Sequence, residues 1–115
     1  MQAADESRQA RAAKNQALFR EVNERIEALN ESFESILPVG EWVCECPNET
    51  CADLVELSVA EYEAIRQHPN RFAVLPGHEA LDVEVVVERH ERYLVVEKIA
   101  HGGAVARRHD PRSAR

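Results

Sequence analysis

Three cysteines, Cys44, Cys46 and Cys51, lie within eight positions of a 115-residue chain that contains no others. An odd number of thiols packed this tightly reads poorly as a disulfide framework and well as a metal site. In the run Val43-Cys44-Glu45-Cys46-Pro47-Asn48-Glu49-Thr50-Cys51, an extended backbone turns residues i and i+2 to the same side, so Cys44 and Cys46 reach one ion. Pro47-Asn48 favours a turn that folds Cys51 back towards them. A closed tetrahedral zinc site needs a fourth ligand. His78 is the favoured candidate, because Pro76-Gly77 sets it on a second turn just after a strand-like run. Of the other histidines, His68 follows a helical segment, His90 sits in a charged turn, and His101 and His109 lie in the C-terminal tail. The expectation is a structural zinc centre on Cys44, Cys46, Cys51 and His78, with no position open to water.

Thiol redox chemistry competes with this reading. A reactive thiolate wants an electropositive setting, whereas Glu45, Glu49 and Asp53 surround these sulfurs and are expected to raise the thiol pKa values. There is no Cys-x-x-Cys, and the Cys-Asp-Gly-Ser-His run of small iron–sulfur proteins fails because Ala52-Asp53-Leu54 follows Cys51. A Gly-rich phosphate loop, His-Glu-x-x-His and Gly-x-Ser-x-Gly are all missing from the sequence, which points to a non-enzymatic protein.

From Ala3 to about Ile36 there is no Pro and no Gly, and Phe19, Val22, Ile26, Leu29, Phe33 and Ile36 recur in 3-4-3-4-3 steps. That period predicts a long amphipathic helix, ended by Pro38 and Gly40, with its first turns solvated or frayed. Charged pairs at coiled-coil flanking positions are almost lacking. The seam, with Trp42, therefore suits either packing on its own domain or pairing with a protein partner or a second copy.

Beyond the cysteines, Leu54–Leu57 reads as a strand. Ser58 and Glu61 form a capping-box signature for a helix over Val59–Gln67, ended by His68-Pro69-Asn70. Arg71–Leu75 reads as a second strand, and Val83–Glu88 with Tyr93–Ile99 as a hairpin around Arg89-His90-Glu91-Arg92. Fold class is thus α+β. The expected parts are an N-terminal amphipathic helix (1–38), a small zinc-stabilised strand–helix–strand–hairpin unit (39–100) and a disordered basic tail (101–115).

Aromatic residues make up only 5% of the chain, which leaves little material for a buried cofactor pocket. Of the net charge of −7, residues 37–80 carry 2 bases and 8 acids, or −6, where the ligands sit. That balance suits a cation and argues against broad nucleic-acid binding. Met1 to Lys14 lacks an apolar signal-like run, and runs such as Val85-Val86-Val87 and Leu94-Val95-Val96 are too short to span a membrane. A soluble, cytoplasmic protein is expected.

The segment Asn15-Gln16-Ala17-Leu18-Phe19-Arg20-Glu21-Val22-Asn23-Glu24-Arg25-Ile26, then Cys44-Glu45-Cys46 with Cys51, then Pro76-Gly77-His78-Glu79, resembles a family of small, mostly uncharacterised actinobacterial proteins. The likeness spans most of the chain without the tail. It implies that Cys44, Cys46, Cys51 and His78 form one pattern, and it implies no activity. The leading reading is a zinc-binding protein that acts as a small protein–protein interaction or regulatory module. Two alternatives stand beside it: a transcription-associated factor contacting polymerase or DNA, with Arg107, Arg108, Arg112 and Arg115 in its tail, and a redox sensor releasing zinc on oxidation.

Overall fold

The Pro- and Gly-free N-terminal third forms a single helix, α1 (Gln2–Phe33). Its rise of roughly 48 Å at 1.5 Å per residue accounts for the 51 Å long axis of the molecule. The structure is a computed structural model and describes residues 2–34, 36–48 and 50–114; Glu49 of the cysteine segment lies outside them. After α1 come β1 (Gly40–Val43), β2 (Leu54–Leu57), α2 (Val59–Arg66), β3 (Arg71–Val74), β4 (Glu84–Arg89), β5 (Leu94–Lys98) and α3 (Ala100–Arg108), followed by a 3-10 turn over Pro111–Ala114. The α+β class is as expected from the sequence. Among the described residues, no helix is long and apolar enough to cross a membrane.

Two antiparallel sheets lie side by side. β1 and β2 form a hairpin in which Trp42 faces Val55, and the cysteine segment is its loop. β3, β5 and β4 form the second sheet in that order, with a bulge between Val86 and Glu88. The capping box at α2 is complete: Ser58 Oγ accepts from Glu61 N at 3.0 Å and Ser58 N donates to Glu61 Oε1 at 2.8 Å. Trp42, which was expected to help form a contact surface or dock on the sheet, is fully buried. It stacks on Tyr62 at 4.2 Å, and its indole N–H donates to Leu57 O.

α1 keeps the expected period, but a polar face goes inward beside the apolar seam, of which Ile26 packs partly buried against the core. Ala13, Gln16, Arg20 and Asn23 are buried, whereas Val22, Leu29 and Phe33 are 44, 58 and 47% exposed. The cause lies in what α1 covers. β1 has a second, unpaired backbone edge, and buried backbone groups need hydrogen-bonding partners rather than apolar cover. Asn23 supplies both: Nδ2 donates to Val43 O at 2.8 Å and Oδ1 accepts from Val43 N at 2.7 Å. Asn30 Nδ2 donates to Glu41 O, and only a glycine at position 40 lets it in, since a Cβ there would sit 2.6 Å from Asn30 Cγ.

The C-terminal stretch corrects one expectation. Residues 101–115 were expected to be disordered, yet α3 packs on the first half of α1 and buries Val105 and Ala106. On the α1 side, Ala10 and Ala13 belong to the same core cluster as Val105 and Ala106, and Gly102 lies against Gln9; Ser7 and Arg8 in the first turns are exposed, as expected. Beyond α3, Arg112 donates to Glu24 Oε1 at 2.6 Å, to Glu63 Oε2 at 2.8 Å and to Glu27 Oε1 at 3.3 Å. Arg66 bridges Glu24 and Asp110.

This acidic clasp gives a pH-dependent stability. Burial, then the hydrogen bond and charge of Glu63, push the Glu27 carboxyl up to about 7, while Arg112 and the same carboxyl contact pull Glu63 down to about 2. Because the Glu27 pKa is raised on folding, its contribution is full below its ordinary 4.5 and is lost as pH rises through about 7. Glu63 acts in the opposite sense and loses its contribution only as pH falls below the ordinary range towards about 2. Glu27→Gln is therefore expected to flatten the fall in melting temperature between pH 5 and 7.5, read by thermal melts across a pH series. A wild type with no such fall would contradict this.

Candidate metal centre

The site forms where the two sheets meet. Cys44 N donates to Asp53 O at 3.0 Å, which continues the β1–β2 pairing by one residue. Glu45 N then donates to Ala73 O at 2.8 Å and hands the chain to the edge of β3. The expected turn follows: Cys51 N donates to Asn48 O at 3.0 Å, and Asn48 Oδ1 accepts from Thr50 N and Thr50 Oγ1, an Asx-type closure that carries Cys51 back. A second turn, Leu75-Pro76-Gly77-His78, closes by His78 N donating to Leu75 O at 2.9 Å, with Gly77 at φ 94°. Pro then Gly at the two central positions is the signature of a type II turn.

These turns bring all four expected ligands together. The Sγ atoms of Cys44, Cys46 and Cys51 and a ring nitrogen of His78 lie within 4.8 Å of one another, close enough to bind one metal ion. Nδ1 of His78 is 3.6 Å from Cys44 Sγ and 3.6 Å from Cys51 Sγ. Cys44 and Cys46 are buried and Cys51 and His78 half-buried, and the three thiols are free of disulfides. The other histidines with an observed role lie elsewhere: His90 stacks on Tyr93 and pairs with Glu88, and His109 caps α3.

The surroundings support a held ion. Leu75 N donates to Cys44 Sγ at 3.3 Å, the kind of N–H contact a thiolate accepts. Asp53 Oδ2 lies 3.6 Å from Nε2 of His78, the ring nitrogen left over when Nδ1 ligates. A carboxylate beside the second ring nitrogen is the usual orienting partner of a ligand histidine. Asp53 thus has a role that its reading as a repelling acid missed; a carboxylate two residues after a ligand cysteine is the signal that pointed to it.

The thiols are shifted in the expected direction for a different reason. Burial, the largest cause, raises Cys44 and Cys46; the Leu75 N–H acts against it at Cys44, and the neighbouring thiol charges add to it. Glu45 is not the agent, because its carboxylate points the other way. It accepts from Arg20, from Asn23 Nδ2 at 3.0 Å and from Ala73 N at 3.0 Å, in a fully buried polar cluster. The Arg20 guanidinium also lies 3.9 Å over the Phe72 ring, and burial lowers its pKa against the pull of Glu45. Alternation along the extended segment after β1 that turns Cys44 and Cys46 to one side turns Glu45 into this cluster.

Gly77 is the backbone condition for His78 to reach the three thiols. Nothing lies within 4 Å of where a Cβ would sit, so Gly77→Ala acts through the positive φ alone. At about 1–2 kcal/mol for an L-residue in that region, metal affinity is expected to fall roughly tenfold in a chelator competition titration. Unchanged affinity would show that the turn does not set the ligand.

Comparison with known proteins finds no matching family model, no matching curated protein and no matching solved structure, and the site stands on its own geometry.

Proposed function

We propose that the ion is zinc, held as a closed structural centre, and that the protein is a non-enzymatic interaction module. One observation carries the metal assignment. Bond lengths of about 2.3 Å to sulfur and 2.0–2.1 Å to nitrogen around a tetrahedral ion put sulfur and nitrogen about 3.6 Å apart. His78 Nδ1 lies 3.6 Å from the sulfurs of both Cys44 and Cys51. Three thiolates and one imidazole in that geometry suit zinc by ligand softness, and four protein ligands leave no coordination position for a reacting water. Elemental analysis of protein purified without added metal tests this: one zinc per chain is expected, and a folded, metal-free protein would refute it.

The interaction role is supported by the outward seam of α1. Leu18, Val22, Leu29 and Phe33 on α1, with Ile36 and Leu37 just beyond its end, are all at least 44% exposed. A role for the tail in contacting DNA or polymerase has less support, because Arg112 is committed to Glu24, Glu27 and Glu63. A redox-sensor role has less support too, since burial holds Cys44 and Cys46 above the range of reactive thiols.

A further inference from the structure

The uncovered stripe on α1 has a direction. Leu18, Val22, Leu29 and Phe33 follow one another at helical steps, and Leu37 extends the line past the helix end. Residues 7–20 carry Arg8, Arg11, Lys14 and Arg20 and no acid, whereas residues 26–41 carry Glu27, Glu31, Glu34 and Glu41 and no base. Arg20 and Glu27 turn inward and Arg8 pairs with Asp82, which leaves Arg11 and Lys14 exposed at one end and Glu31, Glu34 and Glu41 exposed at the other. Both charged ends border the stripe. Lys14 shares a shallow hollow with Leu18. Glu41 rims an apolar groove of about 300 Å³ formed with Ile26, Leu29, Phe33 and Leu37.

We propose that this stripe is covered by a second copy of the chain, the two α1 helices lying antiparallel about a two-fold axis. This deepens the interaction reading above and rests on it. Centring the axis between Arg25 and Ile26 sets Leu18 against Phe33 and Val22 against Leu29, so the four apolar positions of the stripe within α1 meet one another. The same register lays the half of each α1 that carries Arg11 and Lys14 along the end of the other copy that carries Glu31, Glu34 and Glu41. Parallel helices would set base on base and acid on acid. An isologous two-fold contact uses one self-complementary patch twice, which is what a stripe with opposite charges at its ends provides.

Light scattering and sedimentation of the full chain in its metal-bound form test this. The wild type is expected at twice the 13.0 kDa chain mass. Leu29→Asp is expected to give a monomer with unchanged helical circular dichroism and metal content. Arg11→Glu with Lys14→Glu is expected to weaken the dimer at least tenfold, and adding Glu34→Lys and Glu41→Lys to the same chain is expected to restore it. A monomeric wild type whose Leu29→Asp variant stays folded overturns the self-pairing and leaves the interaction reading standing. Loss of the fold on Leu29→Asp makes the stripe part of the core and overturns both. A dimer that survives Leu29→Asp, or charge reversal that the second pair does not restore, also overturns the antiparallel pairing.

Discussion

Stripping the metal with a chelator is expected to unfold the cysteine hairpin and to lower the melting temperature by on the order of 10–20 °C, corresponding to about 3 kcal/mol in a domain of this size. The candidate ligands come from both sheets, beside the Glu45–Ala73 hydrogen bonds and the core the two sheets share. Cys44, Cys46 and Cys51 belong to the β1–β2 hairpin and its loop, and His78 follows β3. Structural zinc contributes about 10–16 kcal/mol in small peptides at neutral pH, comparable to the entire stability of a small domain. Once the ion is gone, three neighbouring thiols remain half-buried to buried, and burial keeps Cys44 and Cys46 protonated. Cys51→Ser and His78→Ala are expected to reproduce the loss without chelator. The readout is thermal denaturation with and without restored metal. A melting temperature unaffected by metal removal would contradict a structural role.

The second large effect lies behind the metal, in the pair of Arg20 and Glu45. Both side chains are essentially inaccessible, at 1 and 0% exposed. Removing one partner of a buried ion pair costs about 3–5 kcal/mol, because the other charge stays buried without compensation. Arg20 also donates to the backbone oxygens of Pro69 and Arg71, so α1, the cysteine segment and β3 all meet at this guanidinium. Arg20→Met is expected to cost that amount in urea denaturation and to weaken metal binding as well, since Glu45 stands between two ligands. Arg20→Met with Glu45→Gln is expected to cost less than the sum of the single changes, because neither charge is then stranded. Strict additivity would mean that the two side chains do not act together.

The metal site was legible because its signals are local. Cysteine spacing, Pro47-Asn48 and Pro76-Gly77 each specify backbone over a few residues, and the structure brings the four expected side chains together. Ser58 with Glu61, and the β4–β5 hairpin, were legible for the same reason. The burial phase of α1 was not. Apolar periodicity assumes that apolar residues go inward, whereas here Gln16, Arg20 and Asn23 satisfy a strand edge and a buried carboxylate that come from residues 20 to 30 positions away. β1 was missed because four residues with one buried aromatic carry little alternation. α3 contains Gly102-Gly103, a poor helix former, and is held by contact with α1, which no local pattern announces.

X-ray absorption at the zinc edge of natively purified protein tests the central claim most directly. Three sulfurs at about 2.3 Å and one nitrogen at about 2.0–2.1 Å are expected, with one sulfur lost in Cys44→Ser and the nitrogen lost in His78→Ala. A shell dominated by oxygen, or a folded protein that holds no zinc, would contradict it.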